Sequence, residues 1–171
     1  LYSSNYFGIV LDSDGYLKSV ANDIESRCTT DEEKFKAAFE YAKKMKWDNT
    51  ARLFTEKTYL STSFKEGKGN SAEVNLALVQ LLRRLGFKAG PVVMSTRKNG
   101  RLSVIRPSIT KLNYVIAAVF TAKDTLLMDA TEANAPYYLL PMRALNLQGQ
   151  YMDKQGTQWM PLAAKKKDKQ M

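Results

Sequence analysis

Between Asn70 and Gly86 the sequence specifies one helix completely, and that helix constrains everything around it. Asn70 or Ser71 caps its start, and Glu73 stands three residues after Asn70, the spacing of a capping box. Val74, Ala77, Leu78, Leu81, Leu82 and Leu85 then form the wide apolar face of a core helix. Arg83 and Arg84 fall in the last turn, and Gly86 supplies the residue that leaves a helix in left-handed conformation. A helix 70–85 of this kind belongs at the centre of a domain. Its expected partner is a sheet containing strands 113–120 and 125–130, which hold few polar residues.

The remaining segments divide into helices before this element and strands after it. Residues 1–29 form a lead-in with a turn at Asp12–Gly15 and a short helical pattern over Leu17, Val20, Ala21 and Ile24. Thr30 begins a second well-marked helix. Glu33 lies at the capping-box position, Asp31, Glu32 and Glu33 suit the positive end of the helix dipole, and Phe35, Ala38, Phe39, Ala42 and Met45 form its stripe. Trp47 closes it. Residues 48–69 are polar, with a weak helical pattern over Thr50–Tyr59 and a loop at Lys65–Gly69. Beyond Gly86 the pattern becomes that of strands: 87–96, a turn at 98–101, a hairpin 113–120 and 125–130, then 137–141, and a last pair around Gly149–Trp159 turning at Gly156. Helices first and strands later predict an α+β domain with a segregated antiparallel sheet.

Composition removes whole classes of chemistry. The 171 residues suit one domain, and no apolar run reaches the length a membrane helix needs, so no membrane insertion is expected. The sequence has no histidine and a single cysteine, Cys28, which excludes a Ser-His-Asp triad, a Cys-His dyad and imidazole metal ligands. No Asp/Glu cluster has ligand spacing either, so neither a metal nor a cofactor is expected. Cys28 reads as a small buried hydrophobe. The net charge of +9 is dispersed among acids except for Lys165, Lys166, Lys167 and Lys169. It describes a solvated surface and a basic tail, with no specific nucleic-acid partner; attraction of nucleic acid to the tail by charge alone is the reserve reading. A start at Leu1, no signal-peptide pattern and the lysine-rich tail 161–171 lead us to expect a piece of a longer chain whose tail runs on to a further domain.

Three motifs in order carry a resemblance. Gly69-Asn70-Ser71-Ala72-Glu73, followed by Leu81-Leu82-Arg83-Arg84-Leu85-Gly86-Phe87, is similar to the central motif of the bacterial transglutaminase-like family, in which a cysteine opens a buried helix that ends in glycine and leads to a strand. Leu112-Asn113-Tyr114-Val115-Ile116-Ala117 resembles the strand that bears the family's histidine, and Leu127-Met128-Asp129-Ala130-Thr131 resembles the strand that ends in its aspartate. Leu139-Leu140-Pro141 and residues 146–149 resemble the segment that follows in envelope-associated members. The likeness covers roughly residues 30–160 and implies a papain-like fold: a central buried helix packed on an antiparallel sheet.

The resemblance also implies a degenerate site. Cysteine, histidine and aspartate positions of the family carry Ser71, Tyr114 and Asp129 here. A helix dipole and an imidazole make a thiolate available at neutral pH, but a serine at the same place is too weak an acid and depends on a strong general base. Tyrosine, with a phenol pKa near 10, is a poor acceptor of that proton. The implied function is a non-catalytic binding or scaffolding module in a multidomain cell-envelope protein, with peptide or glycan segments and flanking domains as partners. The competing reading is a hydrolase or acyltransferase that uses Ser71 with an unidentified base, for which Lys68 and Lys111 are the candidate lysines. As structural residues, Ser71 is a helix cap, Tyr114 a strand aromatic packing in or beside the core, and Asp129 a strand-end acceptor working with Thr131.

Overall fold

The computed structural model describes residues 2–99, 112–146 and 148–162. Four helices come first: α1 (Lys18–Arg27), α2 (Asp31–Ala42), α3 (Leu60–Glu66) and α4 (Ser71–Arg84), with two-residue strands β1 (Lys46–Trp47) and β2 (Lys68–Gly69) set between them. The strands β3 (Lys88–Met94), β4 (Tyr114–Phe120), β5 (Thr125–Met128), β6 (Gln148–Asp153) and β7 (Gly156–Pro161) follow and form one antiparallel sheet in the order β5-β4-β3-β6-β7. This is the α+β arrangement expected from the segregation of helical and strand patterns.

Helix α4 is central because its first three turns are closed to water on every side. Every residue from Ser71 to Leu82 is buried, polar ones included. Its start is fixed twice: the Asn70 side chain accepts from the Glu73 amide at 2.9 Å, and the Glu73 carboxylate accepts from the Asn70 amide at 3.1 Å. Asn70 is thus the cap, and Ser71 is the first helical residue. Gly69, immediately before it, has no room for a side chain, since a Cβ there would stand 2.6 Å from the Met45 sulfur. Gly86 ends the helix at φ 91°, a backbone angle that only glycine adopts freely.

One face of the sheet meets α4 and the other carries a second core. Alternation along β4 sends Val115, Ala117 and Val119 into the main cluster with Val74, Leu78 and Leu81, while Tyr114, Ile116 and Ala118 join Val92, Met94, Tyr151 and Met160 in the second. The register Met94↔Tyr114, Val92↔Ile116 and Ala117↔Met128 holds the three strands together. Trp47 packs against both clusters.

Two local expectations differ from the structure. Thr50–Tyr59 is not helical; the helix in that region is α3, seven residues later in its end point. The loop's backbone is satisfied by distant partners instead: the Thr50 carbonyl accepts from the Ser71 amide, and the Thr55 amide donates to the Tyr6 carbonyl. Residues 137–141 form turn and extended chain, not a strand, and lead into a short 3-10 turn at Met142–Ala144. Strand ends also retract by a few residues, to 88–94 and 125–128. The turn at 98–101 lies partly, and the lysines of the tail wholly, outside the described residues. Among the described residues, no helix is long and apolar enough to cross a membrane.

Candidate functional site

Asp129 stands one residue beyond β5, fully buried, and receives hydrogen bonds from three residues. The Tyr114 hydroxyl donates to its Oδ2 at 2.6 Å. Its Oδ1 accepts from Asn75 Nδ2 at 2.9 Å, from the Thr131 amide at 3.0 Å and from the Thr131 hydroxyl at 2.8 Å. An acidic side chain without solvent is tolerable only with such a set of donors.

Asn75 explains how this strand end is held to the helix. β5 leaves β4 after Met128, so the ladder loses its partners there. The Asn75 carboxamide takes their place: Nδ2 donates to the Val115 carbonyl at 2.8 Å, and Oδ1 accepts from the Ala130 amide at 2.8 Å. One side chain from α4 thereby acts as a spare peptide group in the sheet.

Tyr114 is fully buried at the start of β4. Besides Asp129, its hydroxyl lies 2.8 Å from the Thr131 hydroxyl and accepts from Arg143 Nε at 3.1 Å. Arg143 comes from the 3-10 turn at Met142–Ala144 and closes the cluster. It also donates to Thr131 and pairs with Glu132, and its guanidinium stacks 4.3 Å over the Trp47 ring. Burial, and then the charge and hydrogen bond of Asp129, push the Tyr114 phenol well above its ordinary value of 10.0. Tyr114 therefore stays protonated and serves as a donor.

Ser71 has other partners. Its hydroxyl accepts from the Arg52 amide at 2.8 Å and donates to the Arg52 carbonyl at 2.8 Å, so both functions are spent on one backbone residue. No hydrogen bond joins it to Tyr114 or Asp129. The connection between the two halves runs through Trp47, whose Nε1 donates to the same Thr50 carbonyl that the Ser71 amide uses, and whose ring meets the Tyr114 ring edge-on at 6.4 Å. Of the candidate lysine bases, Lys68 is exposed on β2 and Lys111 lies outside the described residues.

The structure thus brings Tyr114 and Asp129 together and engages Ser71 separately. Sequence reasoning names Thr131 beside Asp129, which the bonds above show, and misses Asn75, Arg52 and Arg143. Asn75 leaves a signal, a polar residue on a helix otherwise buried in apolar neighbours, one turn after Ser71. Chemically the cluster can hold protons in fixed places, but it offers no accepting base at the Ser71 oxygen. Among the described residues every buried side-chain nitrogen and oxygen has a partner, and no group of three or more Cys, Asp or Glu is placed to hold a metal.

Comparison with known proteins agrees with this architecture. Over residues 18–138, more than half of the chain, the sequence matches the model of the transglutaminase-like superfamily. Among solved structures, a "putative protease" from Parabacteroides distasonis ATCC 8503 superposes with a TM-score of 0.61 at 11% identity, covering 91% of this chain and 29% of that one. A "putative cysteine protease" from Cytophaga hutchinsonii gives a TM-score of 0.51 at 12% identity, covering 70% of this chain and 38% of that one. This chain therefore spans well under half the length of either, and at such identities the likeness is one of fold. A search of curated proteins finds no match. With the family match covering α1 through β5 and the solved neighbours sharing the fold, the chain belongs to the transglutaminase-like superfamily.

Proposed function

We propose that this transglutaminase-like domain carries out neither acyl transfer nor hydrolysis and works as a binding or scaffolding module of a larger protein. The observation that supports it is the state of Ser71: buried, with its hydroxyl donating to and accepting from the Arg52 backbone, and no base beside it. Tyr114 at the family's histidine position is a protonated donor to Asp129, the reverse of what a general base must do. Peptide or glycan segments and neighbouring domains are the proposed partners, and the cell envelope the proposed setting, both by family likeness. The test is turnover: transamidation of dimethylcasein with a fluorescent amine, and hydrolysis of ester and peptide substrates, for the wild type and Ser71→Ala. The expected result is the same background for both proteins. Turnover that disappears in Ser71→Ala would establish the hydrolase or acyltransferase reading instead.

A further inference from the structure

We propose that the groove between the two open edges of the sheet receives an extended, uncharged peptide strand from a partner protein. β5 and β7 are the two edge strands, yet both line one groove of about 430 Å3: Asp124–Leu127 stand on one side, Gln158–Pro161 on the other, and Tyr138–Leu140 complete the wall. β3 and β6, which join the two halves of the sheet, share the register pairs Val92 with Tyr151 and Val93 with Gln150.

Three observations choose the occupant. First, among the described residues Thr125–Met128 and Thr157–Met160 make backbone hydrogen bonds only inward, to β4 and β6, so each outer edge presents N–H and C=O groups that a strand satisfies and an apolar small molecule does not. Second, neither strand contains a charged residue, one of the devices that protect edge strands from pairing; Pro161 closes β7 and Asp124 precedes β5. Third, Tyr138 and Leu139 are each 41% exposed at the rim, offering apolar contact to alternate side chains of an extended segment. A groove lined from both edges admits a single strand; a folded second copy would need one edge clear of the other.

This deepens the reading of the domain as a binding module and rests on it, but it concerns a different surface from the Ser71 cluster. The test uses a displayed library of seven-residue peptides selected on the whole chain, with enriched peptides resynthesised. Uncharged peptides with apolar residues at alternate positions should be enriched and bind saturably. Methylation of alternate backbone nitrogens, and separately Leu139→Asp in the protein, should each weaken binding at least tenfold. Met142→Asp, an exposed position outside the groove lining, should leave it unchanged. No enriched peptide, equal binding of the methylated peptide, or equal binding by Leu139→Asp would each overturn the proposal. Absence of peptide binding would leave the inertness of Ser71 standing, while turnover dependent on Ser71 would remove that reading and leave the groove untouched.

Discussion

The Tyr114 hydroxyl donates a 2.6 Å hydrogen bond to Asp129, joining two fully buried positions, the start of β4 and the residue just beyond β5. This bond turns the cluster inward: the phenol stabilises the carboxylate, Arg143 caps the phenol, and Trp47 carries Arg143 on its ring. Each of these contacts contributes to stability, and none frees a group to take a proton from Ser71.

Removing the phenol oxygen should therefore destabilise the fold. Tyr114→Phe keeps the ring and leaves Arg143 Nε and one oxygen of Asp129 with a partner fewer. A loss of about 1–3 kcal/mol is expected from denaturant unfolding, the usual cost of an orphaned buried polar group. A loss below about 0.5 kcal/mol would show that water replaces the hydroxyl freely.

Asn75→Ala should cost more than Tyr114→Phe. It strands two groups, the Val115 carbonyl and the Ala130 amide, and takes one of three donors from Asp129 Oδ1. The expected loss exceeds about 3 kcal/mol, with earlier hydrogen exchange at Ala130 and Thr131. A change as small as that of a surface substitution would contradict the sheet-splicing role.

Alkaline pH should unfold the domain through its buried phenols. Tyr114 and Tyr16 are held well above 10 by burial, and Tyr151 is pushed up to about 12 by burial and by Asp153. Where the folded pKa exceeds the unfolded one, the folded state binds more protons; stability is complete below the unfolded value near 10 and falls as pH rises above it. Each fully buried phenol adds a slope of about 1.4 kcal/mol per pH unit in that range. Tyr114→Phe should unfold at lower denaturant at pH 8, yet lose stability less steeply between pH 10 and 11. Parallel slopes in the two proteins would mean that Tyr114 ionises in the folded state.

Leu81→Ala tests the central placing of α4. Leu81 is 1% exposed in the main cluster, and truncation should cost about 2–5 kcal/mol as a cavity-forming change. A loss under 1 kcal/mol would make the helix peripheral.

What the sequence shows best is what local chemistry decides. The cap at Asn70, the stripe of α4, Gly86 and the alternation of β4 are visible because each is set within a few residues. The site's buttresses are set from far away. Arg143 lies in a segment without periodicity, and only the fold carries it 29 residues back to Tyr114. The loop 50–59 reads weakly helical because its residues permit a helix; its carbonyls instead serve Ser71, Asn70 and Trp47, and that competition is invisible locally. The buried pair Leu60 and Ser63 that anchors α3 is too short a pattern to stand out. The Arg52 backbone that occupies the Ser71 hydroxyl follows no motif.

The most direct measurement of the central claim is labelling of Ser71. Intact-mass spectrometry after prolonged exposure to a fluorophosphonate should show unmodified protein at neutral pH, and Asp129→Asn should give the same spectrum. Stoichiometric addition at Ser71 that is lost in Asp129→Asn would show an activated nucleophile and contradict the account.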